Sequence, residues 1–350
     1  MTTVKYLRFQ ENYVLESGHP VVGLTLAYQT FGKLNSEKDN VIWVVHALTA
    51  NSNPLEWWPG VVGPGLAIDT EQYFVVCVNN PGSPYGSTHP LTDQVDTGTP
   101  YFRKFPLFTT RDIAGCFDKL ALYLGLEKIT LLAGASLGGQ IAMEWAILNP
   151  CLFENLVLIA TNAQHSPWGI AFNESQRLAI EADATFGHDV IQGGANGLKA
   201  ARSIAMLSYR TAFGYNEGQR DTGQETDRFR AASYQQYQGE KLVNRFDAYS
   251  YYALTKTMDS HNVGRGKISI PAALQAIEAN TLIIGISTDL LFPPQEQRYL
   301  AQNISKSRYA EIHSDLGHDG FLTEAEKVGH LIRTVLNRKK KKLKRVSLAG

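Results

Sequence analysis

The stretch "ITLLAGASLGGQIAMEWA", residues 129–146, sets one serine between glycines where an apolar run gives way to a helical pattern. Its first half, "ITLLAGAS", is a short continuous run of the kind that forms a parallel strand buried on both faces. Its second half continues as "GGQIAMEWAILNP", with apolar residues at helical spacing and a stop at Asn149-Pro150. Strand, then Gly134-Ala135-Ser136-Leu137-Gly138, then helix is the context of a nucleophile elbow. The glycines allow a strained turn that holds a hydroxyl away from the sheet. The amide of Leu137 and the helix N-terminus then lie beside any oxyanion that forms. The same pentapeptide also suits a plain glycine turn packing helix on strand, so its partners decide the matter.

Working outward, runs of the same texture recur at "VIWVV" (41–45), "YFVVCVNN" (73–80), "LVLIAT" (156–161) and "TLIIGIS" (281–287). Helix-length segments separate them, such as "TTRDIAGCFDKLALYLGL" (109–126), and "VVGLTLAYQTFGKL" (21–34) alternates like an antiparallel opening strand. This alternation predicts an α/β fold with a mostly parallel, doubly wound sheet. Between about residues 165 and 265 the strand-like runs vanish. There "AFNESQRLAIEADATF" (171–186), "LKAARSIAMLSYRTAF" (198–213) and "DAYSYYALTKTM" (247–258) read as helices, and "GYNEGQRDTGQETDR" (214–228) as an exposed loop. The expected organisation is a core of residues 1–164 and 266–337, a helical lid inserted at 165–265, and a basic tail at 338–350.

Composition narrows the function classes. With 44% hydrophobic and 19% charged residues, the chain is neither disordered nor fibrous. No apolar run approaches the roughly 18 residues of a membrane span, and the N-terminus lacks an apolar signal region, so a cytoplasmic protein is expected. Cys77, Cys116 and Cys151 are too few and too scattered for a disulfide framework or a zinc site, and read as reduced thiols. Seven of the 33 basic residues fall in "RKKKKLKR" (338–345), leaving 26 positive against 33 negative charges elsewhere. A basic body that could grip nucleic acid is therefore absent, and the tail reads as a frayed, solvated end.

A serine at its free pKa is a poor nucleophile and needs a base and an orienting acid. Asp289 follows the strand "TLIIGIS" in "STDLLFPP", which puts a carboxylate at the carboxyl end of a late strand. His318 lies 29 residues later in "SDLGHDGFL", where a glycine-flanked loop can present an imidazole. Asp315 is a rival acid, but only three residues from His318 it would strain to reach Nδ1. His46 closes "VIWVV" and reads as a backbone-positioning residue, while His165, His188, His261 and His313 lie in helical or polar surroundings. The loop "VVHALTAN" offers the amide of Leu48 as a second oxyanion donor.

At this point nine collinear blocks resemble the homoserine O-acetyltransferases, a family of the α/β-hydrolase superfamily. They are "HALTANS", "GLAIDTEQYFVVCVNN", "GSPYGSTHP", "GASLGGQIAMEWA", "HSPWGIAFNESQR", "ARSIAMLSYRT", "YQGEKLVNRFDAYSYYALTKTMD", "STDLLFPPQEQ" and "YAEIHSDLGHDGFL". The resemblance runs from about residue 10 to 335 and implies an α/β-hydrolase fold with a helical lid. It implies a two-step transfer in which acetyl-CoA, a co-substrate rather than a bound cofactor, acylates Ser136. L-homoserine then takes the acetyl group, with His318 as base, Asp289 as orienting acid and the amides of Leu48 and Leu137 as oxyanion donors. Arg210 matches the family residue that meets the homoserine carboxylate, and Asp319 the one that meets its ammonium. Tyr237 is a further candidate for a hydroxyl in the pocket. No metal is implied.

Three alternatives stay open on the sequence: succinyl-CoA as donor or L-serine as acceptor on the same fold, a hydrolase of small esters, and a non-catalytic scaffold. The expected partners are small molecules, with neither nucleic acid nor membrane. The tyrosine-rich "DAYSYYALTKTM" and the family habit both favour a homodimer through the lid helices.

Overall fold

Runs that are apolar on both faces become the middle of one eight-stranded sheet. The computed structural model describes the backbone of residues 3–347 and the side chains through residue 337. The strands are β1 (Lys5–Arg8), β2 (Thr25–Phe31), β3 (Val41–Val45), β4 (Phe74–Val78), β5 (Leu131–Ala135), β6 (Asn155–Ile159), β7 (Asn280–Ile286) and β8 (Ser307–Ile312). They lie in the order β1-β2-β4-β3-β5-β6-β7-β8. β2 pairs antiparallel with β1 and β4, and every later pair is parallel. Every residue of β3 and β5 is buried, as a parallel strand covered on both faces requires.

The two outermost strands carry no continuous apolar run. β1 reads "KYLR" and β8 "SRYAEI", each largely exposed or half-buried because an edge strand has a neighbour on one side only. Pairing with the neighbouring strand, not local pattern, makes them strands, and periodicity does not reveal them. A short hairpin, Tyr13–Val14 with Pro20–Val21, lies outside the main sheet.

Two layers of helices cover the faces. α1 (Thr110–Tyr123) starts at a capping box, in which Thr109 accepts the Asp112 amide and Asp112 accepts the Thr109 amide. Next to it α2 (Leu137–Leu148) drives Trp145 against Trp43, with ring centroids 4.8 Å apart.

Between β6 and β7 the chain leaves the sheet for a helical block. It comprises α3 (Pro167–Glu181), α4 (Ala195–Tyr209), α5 (Ala212–Gly218), α6 (Arg230–Val243) and α7 (Ala248–Asp259). The two ends of the block run side by side: the His165 amide donates to the His261 carbonyl, and the Val263 amide to that of Ala163.

Two details differ from the sequence reading of this block. The segment 214–228 is helical up to Gly218 before it becomes a loop, because Thr211 caps α5 through the Gly214 amide. The tyrosines of 247–258 do not form a free face. Tyr249 stacks on Phe186 at 4.9 Å, and the buried Tyr251 donates its hydroxyl to Gln176.

Beyond β7 follow α8 (Pro294–Asn303) and the closing helix α9 (Ala325–Ser347). α9 lays Val328, Ile332 and Val335 on the second face of the sheet. Its backbone stays helical through Ser347, so most of the segment read as a frayed tail continues a regular element. The side chains from residue 338 onward, and residues 348–350 altogether, lie outside the described residues.

The tightest contact in the core is between backbones. A Cβ on Gly134, near the end of β5, would lie 2.2 Å from the carbonyl oxygen of Gly138. One on Gly138 would lie 2.2 Å from that of Val45 on β3. Neither obstacle is a side chain that could swing away. Gly134→Ala is therefore expected to destabilise the fold by about 2–3 kcal/mol, read as a lower urea midpoint with unchanged slope. A midpoint within error of the parent would refute this account of the glycines.

Candidate active site

Loops at the carboxyl ends of β3, β5, β7 and β8 converge on one point, the customary place for a site in an open α/β sheet. At the end of β5, Ser136 holds φ +56° and ψ −127°, a region that L residues other than glycine rarely visit. Four hydrogen bonds brace it there. Its amide donates to Ile159 at 3.0 Å, and its carbonyl accepts the Gly139 amide at 3.0 Å, the Gln140 amide at 3.1 Å and the Thr161 hydroxyl at 2.9 Å. The side chain is thereby pushed out of the helix it precedes; it makes no capping bond and faces a cavity instead.

The Ser136 hydroxyl lies 3.0 Å from Nε2 of His318, whose Nδ1 lies 2.7 Å from Oδ2 of Asp289. The other carboxylate oxygen of Asp289 accepts the amides of Leu291 and Phe292, both at 2.9 Å. That grip fixes the carboxylate, which in turn selects the tautomer with the proton on Nδ1 and leaves Nε2 free to accept from the serine. Aromatic rings hold the imidazole plane: Phe292 stacks at 5.2 Å, Phe321 meets it edge-on at 5.4 Å, and Tyr209 leans on it at 5.7 Å.

Electrostatics single out this histidine. Burial alone pushes the His318 pKa down, but the Asp289 carboxylate, with a smaller contribution from Asp319, lifts it above the ordinary 6.5. Burial carries His46 and His165 down to about 4 and His261 to about 3, leaving all three neutral. His46 indeed serves backbone: Nδ1 donates to the Ala47 carbonyl at 2.8 Å and Nε2 accepts the Asn80 amide at 3.0 Å. The rival acid Asp315 is exposed and stands 3.8 Å from His313, away from the imidazole of His318.

The cavity over Ser136 measures about 370 Å³. Leu48 lines it from the loop after β3. Leu137 opens α2, so its N–H belongs to a first turn that has no acceptor within the helix. Asp319 lines the cavity as well, whereas Arg210 stands behind it, with Nε 3.1 Å from Oδ2 of Asp319. That approach is an ion pair without hydrogen-bond alignment: the buried Arg210 Nε–H points at no acceptor among the described residues.

Tyr237 is not brought to the site. On α6 it is 55% exposed, and its ring lies under the ammonium of Lys241. One helical turn further on, Lys241 lines the cavity instead, together with Arg202 on α4 and Arg245 beyond α6. These three cations are absent from the sequence reading. They sit inside the quoted blocks, but nothing in periodicity or spacing separates a cavity-lining cation from a solvated one.

The geometry agrees with what comparison finds. A family model described as the alpha/beta hydrolase fold matches residues 40–325. The homoserine O-acetyltransferase of Cyclobacterium marinum is 48% identical over 325 residues, 93% of each chain. The crystal structure of homoserine O-acetyltransferase from Bacillus anthracis superposes with a TM-score of 0.88 at 26% identity, over 96% of this chain and 98% of that one. The crystal structure of esterase E22 gives the same TM-score at 22% identity, over 96% and 100%, and shares the fold.

Two measurements test the site. Ser136→Gly should abolish acyl chemistry while raising stability by about 1 kcal/mol, since glycine adopts the positive φ freely; a destabilised glycine variant would show that the turn is unstrained. A base must be neutral to accept a proton, so kcat/KM should fall toward low pH through a midpoint above 6.5. Asp319→Asn should move that midpoint down. A midpoint that stays in place in the asparagine variant would disprove the electrostatic link.

Proposed function

This chain belongs to the homoserine O-acetyltransferases of the α/β-hydrolase fold, and we propose that it carries the acetyl group of acetyl-CoA to the γ-hydroxyl of L-homoserine through an acyl-serine. One observation supports this reading above the others. The hydrogen-bonded line Ser136–His318–Asp289 ends in a cavity where the residue after the base, Asp319, carries a charge already matched by Arg210. An ester hydrolase has no use for such a pair, whereas an α-amino acid acceptor brings one charge for each member.

In the first half-reaction the Ser136 hydroxyl attacks the thioester carbonyl as His318 Nε2 takes its proton. The amides of Leu48 and Leu137 receive the developing oxyanion, and His318 returns the proton to the leaving thiolate of CoA. In the second, the γ-hydroxyl of homoserine gives its proton to Nε2 and attacks the acyl-serine. O-acetylhomoserine leaves as Ser136 recovers its proton. Asp289 keeps the imidazole in one tautomer and stabilises it when charged. Arg210 takes the acceptor carboxylate with its guanidinium, whose Nε–H is left without an acceptor by the skewed pairing with Asp319, and Asp319 takes the ammonium. The acetyl-enzyme must wait for an alcohol at far lower concentration than water. The helical block over the cavity restricts solvent, while the two charges hold the acceptor in line.

The same reading places the enzyme in the cytoplasm, and no helix among the described residues is long and apolar enough to cross a membrane. We assign it a homodimer through the lid, supported by exposed Trp168, Leu178, Leu207 and Phe213 on α3, α4 and α5. Sedimentation equilibrium should give twice the chain mass.

The deciding assay follows free thiol from acetyl-CoA or succinyl-CoA with homoserine, serine or no acceptor. Turnover should require homoserine and favour the acetyl donor; release indifferent to any acceptor would make the protein a hydrolase. Arg210→Ala should raise the KM for homoserine about tenfold to a hundredfold, leaving the acylation burst nearly intact. Equal loss in the burst would remove Arg210 from acceptor binding.

A further inference from the structure

The cavity is lined by more positive charge than its acceptor and acetyl group require. Arg202, Lys241 and Arg245 all border it, and among the described residues none has a carboxylate within ion-pair distance. The carboxylates at the cavity are Asp319, matched by Arg210, and Glu56 near the mouth. The surplus stands out against the rest of the molecule, which outside 338–345 has 26 basic residues against 33 acidic ones. Cations gathered at a concave, low-dielectric mouth focus a positive potential on whatever approaches it.

The three are not equivalent in depth. Arg202 is half-buried and lies over the ring of Tyr209, 5.2 Å from its centroid, and Tyr209 in turn leans on His318. Lys241 and Arg245 are exposed and stand at the rim. Arg245 spans from the lid to the core, donating to the Thr49 carbonyl and, at 2.7 Å, to the Tyr85 hydroxyl. Its guanidinium is thereby held in place beside the loop that carries Leu48. Lys241 is committed to nothing stronger than the Tyr237 ring, 5.9 Å below it.

A zwitterionic acceptor is neutral overall and is matched by Arg210 and Asp319; an acetyl group carries no charge. The remaining anionic chemistry in the reaction is the donor's carrier. Resting on the acyl-transfer reading above, we propose that Lys241 and Arg245, backed by Arg202, receive the phosphate groups of the thioester's carrier and set the preference for a phosphorylated donor. The rim position fits a carrier whose phosphates stand away from the reacting carbonyl at the end of a flexible arm. Both side chains suit the task, Arg245 as a fixed fork and Lys241 as a mobile point charge.

The test compares acetyl-CoA with S-acetylpantetheine, which has the same thioester and arm but none of the nucleotide phosphates, at saturating homoserine. The parent should favour acetyl-CoA in kcat/KM by about a hundredfold at low salt, and less as salt rises. Lys241→Gln should cut that preference about tenfold and Lys241→Arg should keep it; Arg202→Gln should have a smaller effect. Arg245 is left intact because it also anchors Thr49.

Equal rates on both donors in the parent would overturn the proposal and leave acetyl transfer standing. Failure of both donors to acetylate homoserine would overturn acetyl transfer and this proposal with it. Equal loss on both donors in Lys241→Gln would show that the lysine supports the lid rather than the carrier. A third donor, succinyl-CoA, separates carrier charge from acyl charge. If Lys241→Gln changed only the succinyl-to-acetyl ratio, the cations would serve an acyl carboxylate and the carrier assignment would be wrong.

Discussion

Everything at the catalytic end of this molecule depends on how closely three pieces of backbone approach one another. Gly134 on β5 touches the carbonyl of Gly138, and Gly138 touches the carbonyl of Val45 on β3. With no Cβ in the way, α2 starts almost directly above the sheet, and the residue between strand and helix has no relaxed conformation left. Ser136 takes the strain, at φ +56°. The cost of such a residue is of order 1–3 kcal/mol and is tolerated only where the surroundings over-determine it. Here the Ile159 carbonyl, the Gln140 amide and the Thr161 hydroxyl do so. The hydroxyl is then aimed before any substrate arrives, which spares the reaction a reorganisation step.

The remaining machinery is attached to neighbouring strands, so its precision derives from the sheet. Asp289 and His318 follow β7 and β8, which pair in register over six residues. The loop that carries Leu48 follows β3, and the neutral His46 joins it to the segment after β4 by two hydrogen bonds. The helical block between β6 and β7 contributes what the sheet does not: Arg202, Lys241 and Arg245 at the cavity. This division accounts for how little fold alone says about activity. An esterase at 22% identity shares the scaffold over nearly its whole length, and the transfer reading depends on side chains brought by the lid and by the residue after the base.

Much of this was legible in the chain, for stated physical reasons. The five inner strands declared themselves because burial on both faces demands unbroken apolar runs. Ser136 and Asp289 were recognisable because each follows such a run directly. His318 was harder: β8, the strand before it, is half exposed and has no apolar signature, so only its glycine-flanked loop pointed to it. Helix α6 was missed because a surface helix with two buried residues, Gly239 and Leu242, carries almost no periodic signal. Tyr237 lies one helical turn short of the cavity-lining position on α6, which Lys241 occupies. Arg202 and Arg245 were out of reach, since whether a cation faces a cavity is settled by tertiary packing.

The loop that carries the base is also fastened to the roof. Gly317 has φ +64°, and a Cβ there would lie 2.9 Å from the Tyr209 carbonyl oxygen and 3.1 Å from the carbonyl carbon of Arg210; close by, Thr211 donates to the carbonyl of Asp315. The end of α4 and the turn before His318 are thus one mechanical unit. Hinging that helix outward to admit a bulky molecule would drag the imidazole off the serine. The rim between α6 and the segment after β3 lies outside that unit and is bridged by Arg245 to the Thr49 carbonyl.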